Sequence, residues 1–125
     1  MAIQQTILVV DDDPHSTEII RETLQEDYKV HCVTSGEDCL QEVMGLNPDL
    51  ILMDMMMPGM SGADVCRRLK KDAETQNVPV LFVSSLESQY LELFAGNACT
   101  DSSVHKPIDV SELLDKVKNH LDSRS

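Results

Sequence analysis

Tryptophan is absent and aromatic residues make up only 3% of the 125 residues, so any core has to be built from Leu, Ile, Val and Met. Basic residues are scarce as well: 10 Lys and Arg stand against 22 Asp and Glu, for a net charge of −12. A chain this acidic repels nucleic acid and anionic lipid, and neither is expected as a direct partner. Most of the acids need no special role, since they keep a small domain soluble. No C-x-x-C occurs among Cys32, Cys39, Cys66 and Cys99, and His15, His31, His105 and His120 are equally scattered. A zinc or redox framework is therefore not indicated, and the cysteines read as small core residues. No apolar run approaches the roughly 18 residues of a membrane span, and no basic segment leads into an apolar one at the start. The expected location is the reducing cytoplasm, with no membrane partner.

Against these absences one stretch stands out, Asp49-Leu50-Ile51-Leu52-Met53-Asp54-Met55-Met56-Met57-Pro58-Gly59. A short apolar run bounded by turn signals reads as a strand buried on both faces. Asp54 then falls at the carboxyl end of a central strand, where open α/β sheets keep their ligand crevice.

The rest of the chain alternates strand and helix. Ile7-Leu8-Val9-Val10 is a second buried strand ending in Asp11-Asp12-Asp13-Pro14, with Asp13 as cap and Pro14 in the first turn of a helix reaching about Glu26. Tyr28 to Val33 reads as a short strand. Ser35-Gly36-Glu37-Asp38 opens a helix with Leu40, Val43 and Met44 inward, ended by Gly45 and Pro48. Ser61-Gly62-Ala63-Asp64 resembles a capping box ahead of Val65, Cys66 and Leu69. Val78 to Val83 is a further strand, Glu87 to about Gly96 a helix, and Val104 the centre of a minimal strand closed by Lys106-Pro107. Asp109 starts a last amphipathic helix with Leu113, Leu114, Val117 and Leu121. Five strand–helix repeats predict a single α/β domain, a parallel sheet with helices on both faces.

The polar residues sit at the strand ends: Asp11 and Asp12, Asp54, Ser84 and Lys106. In a parallel sheet these ends open on one edge. Carboxylates gathered there repel one another unless a cation neutralises them, and all-oxygen ligation with an open face suits magnesium. Lysine and a hydroxyl would serve an anion arriving later. Together the set describes phosphoryl transfer, in which a carboxylate can attack phosphorus to form an acyl phosphate. Singly, a strand-end Asp is usually a cap and a Lys-Pro usually a turn. Four of five strand ends carrying such groups is not a capping pattern.

The motifs Val-Val-Asp-Asp-Asp-Pro, Met-Asp-Met-Met-Met-Pro-Gly-Met-Ser-Gly, Val-Ser-Ser and His-Lys-Pro resemble the receiver domain of two-component response regulators, over about Ile7 to Leu121. The resemblance implies a flavodoxin-like, doubly wound five-stranded parallel sheet of order 2-1-3-4-5 with five helices, in one domain whose core spans about residues 6–122. It implies Asp54 as phosphoacceptor, with Ser84 and Lys106 contacting the phosphoryl group and a cis Lys106-Pro107 bond. Magnesium, for which manganese could substitute, would be held by Asp12, Asp54 and the backbone carbonyl of Met56, with Asp11 acting through water and Asp13 left as a cap. The implied partners are a sensor histidine kinase or histidine phosphotransfer protein, and a downstream protein or an output domain. A phosphorylation-linked homodimer is compatible with it.

The chain departs from that family at one point. An aromatic residue usually stands three positions before the lysine; here it is Ser103, and no Tyr or Phe lies between Asn97 and Lys106. Either the output face signals without an aromatic switch, or the domain accepts phosphate and transmits differently. Met56 and Leu86 correspond to positions flanking the path of the hydrolytic water, and as apolar residues they predict slow self-dephosphorylation. Two other functions compete: a pseudo-receiver that only binds a partner, and a flavodoxin. The acidic first loop would repel a flavin phosphate. No output domain fits after Leu121, so a stand-alone receiver and the receiver part of a longer protein are both open.

Overall fold

The structure, a computed structural model, describes residues 4–85 and 102–122. Five strands, β1 (Thr6–Val10), β2 (Lys29–Val33), β3 (Leu50–Met53), β4 (Val80–Ser84) and β5 (Ser102–His105), form one parallel sheet of order β2-β1-β3-β4-β5. The described helices are α1 (Pro14–Leu24), α2 (Gly36–Leu46), α3 (Gly62–Lys71) and α4 (Val110–Asp122). The expected helix at Glu87 to Gly96 lies outside the described residues.

Strand alternation builds two cores. Leu8, Val10, Ile51, Met53, Val80 and Phe82 face α2 and α3, where Cys39, Val43, Val65 and Leu69 meet them. Ile7, Val9, Leu50, Leu52, Leu81 and Val83 face α1 and α4, against Ile20, Leu24, Leu113, Val117 and Leu121. Side chains two apart share a face of the sheet, so a strand apolar at every position must be covered on both sides. That is why β1, β3 and β4 read as unbroken apolar runs.

Each helix start carries a side chain that accepts orphan backbone N–H groups. Asp13 accepts from the His15 N–H at 3.0 Å, Ser35 from Asp38 at 3.1 Å, and Asp109 from Glu112 at 3.1 Å. Ser61 and Asp64 form the reciprocal capping box expected of their spacing.

Five details differ from the sequence reading. Helix α1 stops at Leu24 with Gln25 as its cap, and the amides of Asp27 and Tyr28 close a turn onto the Leu24 carbonyl ahead of β2. Helix α2 runs through Gly45 and ends at Asn47 in the left-handed conformation, φ 50°; Asn tolerates that conformation and glycine is not needed. Its inner face is Cys39 and Val43 with Leu40 partly covered, whereas Met44 is exposed. Strand β4 begins at Val80, since Val78 closes a turn onto the Thr75 carbonyl. Among the cysteines, Cys39 and Cys66 are fully buried, as small core residues should be, but Cys66 is also disulfide-bonded. Cys39 is a free thiol. No described helix is long and apolar enough to cross a membrane.

Candidate phosphoacceptor site

The parallel register aligns the strand ends. Val10 pairs with Met53 and Met53 with Phe82, so the residues just beyond β1, β3 and β4 come out side by side. The Asp54 N–H donates to the Val10 carbonyl at 2.9 Å and the Asp11 N–H to Val33 at 3.2 Å, which extends the ladder into both acids. Their backbones are thus fixed by the sheet and their carboxylates are held at its edge. Asp54 is 6% exposed and Asp11 is 1% exposed.

Lys106 reaches this edge from the end of β5. Its N–H donates to the Ser84 carbonyl at 2.9 Å, and the peptide that follows, Lys106-Pro107, is cis. The ammonium lies 2.9 Å from an Asp11 oxygen and 3.5 Å from Asp54 Oδ2. Lysine is therefore shared between the two buried acids, closer to Asp11. The second Asp11 oxygen accepts the Asp13 N–H at 2.9 Å, and Asp54 Oδ1 accepts the Met56 N–H at 3.3 Å.

Carboxylate oxygens of Asp11, Asp12 and Asp54 lie within 4.8 Å of one another, with Asp12 exposed between two buried partners. One lysine does not offset three acids. Burial pushes the Asp54 carboxyl up, and the neighbouring charge of Asp11 adds to it, against Lys106 and the Met56 N–H, to a pKa of about 6. Lys106 is disfavoured as a cation by burial, yet its bond to Asp11 and the charge of Asp54 prevail and raise its pKa. A hard divalent cation on all-oxygen donors, with an open face at Asp12, fits this excess of negative charge.

All but one of the residues singled out by sequence fall among the described residues. Asp11, Asp12, Asp54 and Lys106 converge. Ser84 is buried at the end of β4, on the same edge. Met56 donates its backbone N–H to Asp54, and the residue is 62% exposed. Asp13 turns away to cap α1, accepting from the Ser16 hydroxyl at 3.0 Å as well as from His15. Leu86 lies outside the described residues. Ser103 is half-buried on β5, and its carbonyl accepts from Lys116 of α4.

Gly62 is the contributor that sequence reasoning passed over. A Cβ there would stand 2.3 Å from the Asp54 carbonyl oxygen, and the Gly62 N–H donates to the Met55 carbonyl at 2.8 Å. The start of α3 thus packs directly on the backbone of Asp54. The Ser-Gly pair after the loop was a visible signal, but it reads as a helix start until the partner backbone is known.

The chain matches the model of the response regulator receiver domain over residues 7–118. It is 35% identical over 120 residues to the DNA-binding response regulator MtrA of Mycolicibacterium smegmatis, covering 95% of this chain and 51% of that protein. With the DNA-binding dual master transcriptional regulator RpaA of Synechocystis it shares 33% over 113 residues, 90% of this chain and 47% of the relative. The chain thus spans about half the length of these curated relatives. The BeF3-activated receiver domain of DrrB, a Thermotoga maritima protein, superposes with a TM-score of 0.85 at 29% identity, covering 96% of this chain and 99% of that one. The chemotaxis protein CheY4 of Vibrio cholerae, at 22% identity and a TM-score of 0.88 over 95% of this chain and all of that one, shares the fold. With its strand order, its strand-end acids and lysine, and these matches, the chain belongs to the response regulator receiver domain family.

Proposed function

We propose that this domain is a phosphorylation-controlled switch that accepts a phosphoryl group on Asp54 from a histidine kinase or a histidine phosphotransfer protein. The observation that carries this reading is the shared lysine: Lys106 bridges Asp11 and Asp54, 2.9 and 3.5 Å away, at the edge where Asp12 and Ser84 also end. A cation poised between two buried acids can follow whichever side gains charge. When an Asp54 oxygen attacks phosphorus, the bond from phosphorus to the donor imidazole nitrogen breaks and that nitrogen leaves with the electron pair. Asp54 exchanges one negative charge for a phosphoryl group carrying more, and Lys106 and the Ser84 hydroxyl would meet it.

Asp12, Asp54 and the Met56 carbonyl would hold magnesium, with Asp11 contacting it through water. Bound there, the ion supplies electrostatic stabilisation of the transferring group. The residues of the chain do the positioning: the Met56 N–H orients Asp54, and Lys106 restrains Asp11. Self-dephosphorylation is slow in this reading, because the exposed Met56 side chain can neither orient nor activate water. The domain is a signalling module that catalyses its own modification, working in the cytoplasm through protein contacts.

The test is intact-protein mass after incubation with acetyl phosphate, with and without magnesium, for the wild type and Asp54→Asn. A magnesium-dependent gain of one phosphoryl group, lost in Asp54→Asn, supports the reading. No gain in folded, magnesium-containing protein leaves the pseudo-receiver, a module that only binds a partner.

A further inference from the structure

Positive charge in this acidic chain is concentrated at one place. Four of its 10 Lys and Arg fall in Arg67-Arg68-Leu69-Lys70-Lys71 at the end of α3, which leaves 6 cations (10 − 4) among 22 acids elsewhere. Helix chemistry accounts for part of this. Cations near a helix carboxyl end are favoured by its dipole. Lys70 donates to the carbonyls of Gln76 and Val78 at 3.3 and 3.0 Å, fastening the turn before β4. Arg67 pairs with Asp64 at 2.7 Å.

Arg68 and Lys71 are left over. Both are exposed, and neither has a hydrogen bond or ion pair among the described residues. Three positions apart, they share a face of the helix, where like charges repel. With Met60, Asp64 and Arg67 they line a groove of about 260 Å³. Met60 is half-buried, packed against the core beside Gly36, and lines the groove with the part left exposed. A concave site with two uncompensated cations and one adaptable thioether suits a ligand combining carboxylates with an apolar side chain.

We propose that this α3 groove is a docking site for an acidic polypeptide segment of a partner protein, its carboxylates on Arg68 and Lys71 and an apolar side chain on Met60. None of these residues belongs to the Asp54 site, and the proposal does not depend on phosphoryl transfer. A nucleic acid is disfavoured on two counts: the groove has no aromatic lining on which a base could stack, and the acids elsewhere repel a long polyanion crossing the surface. A short acidic segment is steered to this positive surface and need not cross the rest.

The experiment titrates the protein with a fluorescein-labelled peptide alternating glutamate and leucine, reading anisotropy at low and physiological salt and mapping amide shifts by NMR. An oligothymidylate of equal charge serves as the second ligand. Saturable binding, with shifts centred on Met60, Asp64, Arg68 and Lys71, is expected. The double variant Arg68→Gln/Lys71→Gln should weaken binding about tenfold, and Lys29→Gln/Lys118→Gln, the same charge change on exposed sites elsewhere, by no more than about twofold. All four side chains are exposed, so both variants retain the fold by circular dichroism. Equal loss in both variants, or binding without saturation, overturns the proposal. So does oligothymidylate binding as tight as the peptide's, which would make the groove a general polyanion site.

Discussion

At Asp54 two demands conflict. The sheet edge buries the carboxylate beside Asp11, yet the proposed chemistry needs it ionised. With its pKa raised from 3.8 to about 6, ionised Asp54 opposes folding in the metal-free protein. The native state binds this proton more tightly than the unfolded chain does. The stability associated with it is full below about pH 4 and is lost as pH rises through about 6. Asp54→Asn removes the charge, so at pH 7 without magnesium it should be more stable than wild type by about 1–2 kcal/mol. At pH 4 the difference should shrink towards zero. Urea unfolding at the two pH values checks this; a variant less stable than wild type at pH 7 would show that Asp54 is not strained by its surroundings. Lys106 works in the opposite direction. Lys106→Met should destabilise the metal-free protein at pH 7 by about 1–3 kcal/mol, since it leaves Asp11 and Asp54 without their shared cation. Cys39 shows a further residue-scale consequence of burial, which with the charge of Glu42 pushes its thiol up to about 12. It should resist alkylation in the native protein, while half-buried Cys32 reacts first; labelling followed by peptide mass mapping distinguishes the two.

At the scale of elements, α3 links site and scaffold. Its capping box fixes where the helix starts, and Gly62 lets that start rest on the Asp54 carbonyl. Gly62→Ala places a methyl group 2.3 Å from a backbone oxygen that cannot move without moving Asp54. A loss of about 1–3 kcal/mol is expected, together with slower phosphorylation by acetyl phosphate. Ser61→Ala removes only a cap and should cost about 1 kcal/mol with little change in that rate. Chemical unfolding and phosphorylation rates measured on both variants separate the two effects. Should both lose stability and rate in equal proportion, Gly62 would be no more than part of the cap.

For the whole molecule, charge sets behaviour. Net −12 with three acids at one edge means that a divalent cation should stabilise the fold well beyond general screening. Saturating magnesium, at about a hundred times its dissociation constant, should add roughly 2–3 kcal/mol at pH 7. The gain should fall away below pH 6, where protons compete for Asp54, and should be largely lost in Asp54→Asn. Thermal melts in magnesium against the same ionic strength of sodium chloride read it directly. An equal shift with sodium would assign the effect to screening alone.

The alternation of strands and helices, and the strand-end positions of Asp11, Asp12, Asp54, Ser84 and Lys106, were legible in the sequence because they rest on local rules, whereas the strand order came from the family resemblance. Buried parallel strands are apolar throughout, caps precede helices by fixed spacing, and groups at the ends of parallel strands converge whatever lies between them. The limits of the reading were equally physical. Met44 looked like an inner-face residue by spacing, but where α2 sits on the sheet decides which stripe is covered, and Cys39 is buried beside the expected Val43 while Met44 is exposed. Helix α1 stopped early at the Gln25 cap and α2 passed through Gly45 to a left-handed Asn47, local backbone choices that propensity alone does not locate. By itself the sequence determined which residues end the strands, and in a parallel sheet those ends open on one edge. Only the tertiary structure decided that Lys106 leans on Asp11, that Gly62 must lack a side chain, and that Arg68 and Lys71 stand without partners beside a groove. Those outcomes are distances between groups far apart in the chain, and no local pattern encodes a distance.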